Sequence, residues 1–235
     1  MTTNTIFITG AGKGLGFSLA KQFLGQGWRV FAGVYPAEAN LHSLTDPSSR
    51  QLTVVPLDVT DRTSVRQAAE TVAQHTPALD VLINNAGVYM EDESKTLEAL
   101  ELDIRLQATM DVNAFGPLRV TQQFLPLLRQ GQRKRIVNIS SEAGSITDCW
   151  RKGVYAYCMS KAALNMQSML LHNDLGPQGF TVLAIHPGWM RTDMGGASAD
   201  IHPDESAQGI FRLATQEWGA GSPIYMDYTG KPMRW

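Results

Sequence analysis

Tyr157 and Lys161 stand four residues apart in Tyr157-Cys158-Met159-Ser160-Lys161, at the start of a segment with helical patterning, so both side chains project from one helix face. A free phenol ionises at about pH 10 and serves poorly as an acid–base group at neutral pH unless a nearby cation favours the phenolate. Lys161 is placed to be that cation. Taken alone, such a pair is more often a surface feature, and Tyr155, six residues before Lys161, competes for the role. Upstream, the run Arg135 to Ile139 ends in Ser140-Ser141. A serine at the carboxyl edge of an α/β sheet can bond a substrate oxygen, or it can simply cap a turn.

A second chemical feature follows the first β-like run: Thr9-Gly10-Ala11-Gly12-Lys13-Gly14-Leu15-Gly16, leading into an amphipathic segment. Glycines let backbone approach a pyrophosphate, and a helix N-terminus offers free N–H groups and positive dipole. The pattern misses Gly-x-Gly-x-x-Gly because Leu15 stands at the third glycine, and it lacks the P-loop spacing around Lys13. At the end of the second strand, where an NAD enzyme usually carries an acid against the ribose 2′-hydroxyl, the chain has Val34-Tyr35-Pro36. Lys13 can instead pair with a 2′-phosphate, which favours NADP and leaves NAD as the alternative. Asn84-Asn85-Ala86-Gly87 ends a further strand with small and amide residues, suited to backbone passing close to a cofactor.

The elements that must position these residues alternate. Short apolar runs at Ile6 to Ile8, Arg29 to Val34, Leu52 to Leu57, Val81 to Ile83, Arg135 to Ile139 and Thr181 to Ile185 are separated by longer amphipathic segments. This is the pattern of βαβ units around a parallel sheet covered on both faces. Leu15, Leu19, Phe23 and Leu24 form one inward helical stripe, and Val65, Ala69, Val72 and Ala73 another. Asp61 is placed to cap the helix after the third strand, and Gly176-Pro177 to close the long helix beginning near Tyr155. Gly188 to Pro203 is the one long irregular stretch and reads as a lid over a site.

Composition narrows the function classes. With 235 residues, 43% hydrophobic, the chain can form one substantial core, and no linker or repeat divides it. A net charge of −2, with 20 basic residues scattered among 22 acidic ones, gives no footprint for nucleic acid or an anionic membrane. No apolar run approaches the roughly 20 residues that span a bilayer, and no signal-peptide layout opens the sequence, so a cytoplasmic protein is expected. Cys149 and Cys158 are expected to be free thiols. His42, His75, His172, His186 and His202 are dispersed, and no metal site is expected.

Taken in order, TGAGKGLG, Asp58-Val59-Thr60, NNAG, Asn113-Ala114-Phe115-Gly116, Ser140-Ser141, Tyr157-x-x-x-Lys161 and Pro187-Gly188 resemble the short-chain dehydrogenase/reductase family across essentially the whole chain. The run from Ala156 to Gly196 and the final Trp235 resemble its C-factor and Sniffer-like carbonyl reductase branch. The resemblance implies an α/β fold: a single-domain Rossmann-type doubly wound parallel sheet of about seven strands, helices on both faces, with residues 1–235 binding the dinucleotide and carrying catalysis and 188–203 as substrate lid. It implies a catalytic tetrad of Asn113, Ser141, Tyr157 and Lys161, with Tyr157 as acid/base, Lys161 on the nicotinamide ribose and Asn113 orienting a water. Gly10, Gly14, Leu15 and Gly16 would meet the pyrophosphate, Asp58 and Val59 the adenine, Asn85, Ala86 and Gly87 the adenosine and nicotinamide sides, and Met190 and Thr192 the carboxamide.

Two departures from the family pattern stand out. Ser141 and Tyr157 lie 16 residues apart, a few more than usual, which enlarges the loop around Cys149 and Trp150; Tyr35 replaces the frequent basic residue after the second strand. The expected function is hydride transfer between NADP(H) and a small-molecule carbonyl or alcohol. A dinucleotide-binding regulatory or signalling protein without significant turnover is the alternative. Enoyl reduction would want a tyrosine seven residues before the lysine, where Val154 stands. Tyr89, Cys149, Trp150, Trp189 and Met194 are candidate walls of an apolar pocket. The helices around Asp111 to Leu128 and Tyr155 to Leu175 carry Leu, Met and Ala on several faces, as core or as a dimer seam, and the resemblance implies a homodimer or homotetramer.

Overall fold

A computed structural model of the chain describes residues 3–35, 51–91, 97–98, 104–219 and 221–235; Pro36 and His42 lie outside them. Among the described residues, seven strands pair in parallel into one sheet of order β3-β2-β1-β4-β5-β6-β7. They are β1 (Thr5–Thr9), β2 (Arg29–Val34), β3 (Leu52–Pro56), β4 (Val81–Asn84), β5 (Arg135–Ile139), β6 (Thr181–His186) and β7 (Tyr225–Asp227). The helices are α1 (Gly14–Gly25), α2 (Arg62–His75), α3 (Ile104–Met110), α4 (Gly116–Gln130), α5 (Tyr155–Leu175) and α6 (Pro203–Thr215).

The strands are apolar on both faces, as a doubly covered parallel sheet requires. Ile6 and Ile8 of β1 face one core with Leu19 and Phe23 of α1 and Ile210 and Leu213 of α6. Phe7, between them, faces the other core with Val65 and Val72 of α2 and Phe124 and Leu128 of α4. Each fully buried side chain of this size contributes about 1.5–3 kcal/mol. Asp61 caps α2 as expected, accepting from the amides of Thr63 and Ser64. The inward stripe of α2 is corrected in one place: Ala68 is buried, whereas Ala73 faces outward, because the stripe follows positions 65, 68 and 72.

Sequence order reverses at β1, whose neighbours are β2 and β4, so a crevice opens at the carboxyl ends of β1 and β4. The helix expected from Asp111 to Leu128 starts earlier, at Ile104, and is interrupted by a π-helical turn at Asp111–Phe115. Asn113 is the middle residue of that turn, a rare geometry that re-aims side chains and is frequent at functional sites. A buried chain of amides then anchors α5 to the sheet. Asn84 donates to Thr121 of α4 (3.1 Å) and to Asn138 of β5 (2.8 Å), and Asn138 donates to Ser168 of α5 (2.8 Å). No helix among the described residues is long and apolar enough to cross a membrane.

Candidate active site

The glycine turn lies where β1 ends and α1 begins. Gly10 and Gly14 have φ of +64° and +53°, the left-handed region. A Cβ on Gly16 would stand 2.1 Å from the Gly10 carbonyl oxygen and 2.6 Å from Asn85 Nδ2, so only glycine lets the turn close. Asn85 Nδ2 donates to the carbonyls of Thr9 (2.9 Å) and Gly10 (3.1 Å), while Thr9 Oγ1 accepts from the amides of Asn85 and Ala86, both at 2.9 Å. The side chain of Asn85 therefore braces the turn. Lys13 sits at the N-cap of α1 without capping it, and its Nζ lies 3.6 Å from a carboxylate oxygen of Asp193. Leu15 is buried in the first turn of α1. The left-handed glycines, the helix start without a side-chain cap and the clash at Gly16 together make a cradle that fits a dinucleotide's pyrophosphate.

Around that cradle, Asp58 Oδ1 accepts from the amide and hydroxyl of Thr60 (2.9 and 2.6 Å), and buried Val59 packs against Gly116. Tyr35 is exposed at the end of β2. The stretch after β6 folds back on itself: Met190 bridges to Ile201, Trp189 Nε1 donates to the Gly195 carbonyl (2.8 Å), and Thr192 comes close to Gly14. Pro203 already belongs to α6, so the irregular stretch ends at His202.

The four residues of the expected tetrad gather across the crevice. Lys161 is buried, donates from Nζ to the Ile139 carbonyl at the end of β5 (2.9 Å), and lies 5.7 Å from the centre of the Tyr157 ring. Burial lowers its pKa from about 10.5 to about 8. Gly87 leaves room between groups: a Cβ there would stand 3.4 Å from Asn113 Oδ1 and 3.8 Å from Lys161 Nζ. Asn113 is fully buried and clasps the backbone of Val88, accepting from its amide (2.8 Å) and donating to its carbonyl (2.9 Å), with a further bond to Ser160 Oγ (3.1 Å). Its side chain is thus engaged by protein on every side, so any water it orients must be held by its main chain.

Ser141 follows β5 and opens a 3₁₀ turn, Glu142–Gly144; its Oγ accepts from the Ala143 amide (3.2 Å) and its carbonyl accepts from the Tyr225 hydroxyl (2.7 Å). For Tyr157, burial pushes the pKa above its ordinary value, the Ser141 side chain pulls it down, Glu142 raises it and Arg151 lowers it. Burial therefore holds Tyr157 as the neutral phenol, the form that can donate a proton.

The enlarged loop between Ser141 and Tyr157 is tied at its base, with Arg151 bonding both carboxylate oxygens of Glu142 (2.5 and 2.6 Å). The Glu142 amide donates to His186 Nδ1 (3.2 Å) at the end of β6. Sequence patterning passed over Glu142, Arg151, His186 and Glu91. Oppositely charged residues at both ends of an enlarged loop were the available signal for the first two. Of the five candidate pocket residues, Tyr89 packs edge-on against Tyr157, with ring centres 4.8 Å apart; Cys149 and Trp150 are exposed, and Trp189 and Met194 about half so.

A lysine held near pKa 8 makes a testable energetic claim. The depressed value disfavours folding by about 3 kcal/mol at pH 7, fully present below pH 8 and vanishing as pH rises toward 10.5. Because Lys161→Met also leaves the Ile139 carbonyl unpaired, the pH dependence carries the test: the stability of the variant relative to the parent is expected to fall by about 3 kcal/mol between pH 7 and 10.5 in thermal scans, and a difference that does not change with pH contradicts the claim.

A family model described as short chain dehydrogenase matches residues 4–202. The chain is 43% identical to C-signal of Myxococcus xanthus over 162 residues, 68% of this chain and 95% of that protein. Its fold superposes on an NADPH-bound carbonyl reductase from chicken fatty liver with a TM-score of 0.88 at 31% identity, and on the carbonyl reductase Sniffer of D. melanogaster with 0.89 at 30%; each pair is covered over 100% of both chains. Cradle, tetrad geometry and these likenesses converge: the chain belongs to the short-chain dehydrogenase family of NAD(P)-dependent oxidoreductases.

Proposed function

We propose that this chain reduces a carbonyl compound with NADPH, or oxidises the corresponding alcohol with NADP, using Tyr157 as the acid/base. The observation that carries the reading is the convergence of Tyr157, Ser141 and buried Lys161 beside the glycine cradle. When bound, the reduced nicotinamide supplies hydride to the substrate carbon. Ser141 and Tyr157 hold the carbonyl oxygen, and the neutral phenol gives up its proton as charge develops there. Lys161, fixed by the Ile139 carbonyl, contacts the nicotinamide ribose and stabilises the resulting phenolate. The main chain of Asn113 orients the water that returns protons toward Lys161.

Gly10, Gly14, Leu15 and Gly16 hold the pyrophosphate; Asp58 and Val59 meet the adenine; Asn85, Ala86 and Gly87 contribute backbone along the adenosine and nicotinamide. Met190 and Thr192 hold the carboxamide, and the stretch from Gly188 to His202 closes as a lid over the site of a single catalytic unit. NADP over NAD rests on Lys13, a cation at a largely exposed position in the glycine turn, with Nζ 3.6 Å from Asp193, and on the absence of an acid in Val34-Tyr35. The NADPH-bound likeness supports the same choice.

A second reading, a dinucleotide-binding signalling protein without turnover, draws on one observation, the relative named C-signal. Turnover separates the two. Tyr157→Phe is expected to lower kcat/KM for carbonyl reduction by about 10³-fold or more while binding NADPH as the parent does. Lys13→Ala is expected to raise KM for NADPH about tenfold with little change for NADH. NADPH oxidation by aldehydes, ketones and diketones, followed by absorbance, reads both; full activity in the Phe variant would falsify the mechanism, and tight NADPH binding without turnover on any carbonyl favours the signalling reading.

Phe115 and Leu118 near the start of α4, and Met159, Met166 and Leu170 on α5, are about half exposed or more. Apolar side chains at these spacings on neighbouring helices support a homodimer or homotetramer built through that face. Met166→Glu with Leu170→Glu is expected to give monomers in sedimentation equilibrium; a parent that is monomeric at every concentration contradicts the assembly.

A further inference from the structure

Helix α5 starts without local help. Val154, the residue before it, has φ 58° and ψ 47°, unusual for a β-branched residue, and makes no side-chain cap. The opening N–H groups are met instead by a carboxylate 65 and 66 residues away in sequence: Glu91 Oε1 accepts from the Ala156 amide (3.0 Å) and Oε2 from the Tyr157 amide (2.6 Å). A carboxylate is suited to this task, because it offers an acceptor to each N–H and its charge complements the positive helix end.

Glu91 ends a segment that touches the proposed site at each step. Asn85 braces the glycine turn, the backbone of Val88 clasps Asn113, Tyr89 packs edge-on against the Tyr157 ring, and Glu91 holds the Tyr157 amide. We propose that Glu91 is a positioning residue for Tyr157: it locks the start of α5 to the segment after β4, so the phenol, Asn113 and the cofactor cradle keep one mutual geometry. The inference rests on Tyr157 being the proton donor. Glu91 itself touches neither substrate nor cofactor in this account and acts through the backbone of residues 156 and 157.

Glu91→Ala and Glu91→Gln, assayed at a temperature where circular dichroism shows both folded, test the proposal. The Ala variant is expected to lose about 10- to 100-fold in kcat, since small misplacements of a reacting group carry penalties of that order. Its Kd for NADPH should stay within about twofold of the parent, and the Gln variant, which keeps one acceptor, should recover part of the loss. A cap that serves stability alone would lower Tm and leave kcat intact, and that result overturns the proposal. If the Ala variant does not fold, the Gln variant decides by the same kcat criterion. Tyr157→Phe run alongside separates two failures: an active Phe variant removes the underlying reading, whereas an inactive Phe variant with an unimpaired Glu91→Ala removes only this inference.

Discussion

The hydrogen bond from Lys161 Nζ to the Ile139 carbonyl is the constraint on which the rest of the site depends. An ammonium is costly to bury, and this one keeps its place only because a strand ends where its nitrogen needs an acceptor. That requirement sets the course of α5 along the carboxyl edge of β5, and four residues of helix then put Tyr157 beside the lysine. The amide chain from Asn84 through Asn138 to Ser168 holds the same helix to the sheet from below. Position is thus fixed by polar bonds where apolar packing alone would leave α5 free to slide.

Around this centre, three of the described loops at the carboxyl edge have separate tasks. The turn after β1 leaves backbone open, the segment after β4 braces that turn and orders Asn113, and the loop after β5 presents Ser141. Arg151 gripping Glu142 closes that last loop at its base, so an insertion that would otherwise loosen the site is tied back within it. Tyr225 supports Ser141 from the sheet edge, with the Trp235 ring stacked on it at 5.1 Å. The tail is tied in again where the Trp235 carbonyl accepts from the Thr147 amide (2.8 Å).

Much of this was legible from side-chain pattern because the pattern is local. β2 and β5 begin and end where their apolar runs do, and Tyr157 and Lys161 share a face because a helix repeats every 3.6 residues. β7 escaped notice because three residues, Tyr225–Asp227, make no run, and their pairing with β6 is a tertiary matter. The π turn holding Asn113 changes hydrogen-bond register without any side-chain signature. Glu91 was invisible for the opposite reason: the amides it caps lie 65 and 66 residues away, and the trace in the sequence is a missing cap residue ahead of Tyr155.

Tyr157 is a part-buried phenol held neutral by desolvation without cofactor, and in the proposed mechanism its ionisation shifts downward when the oxidised cofactor binds beside Lys161. The direct test is a pH titration of the near-ultraviolet phenolate band, with the Tyr157→Phe spectrum subtracted, in the presence and absence of NADP. The account predicts that the Tyr157 phenolate forms above the ordinary tyrosine range without cofactor, and about one pH unit or more lower with NADP bound. A Tyr157 band that titrates at the same pH in both cases would contradict it.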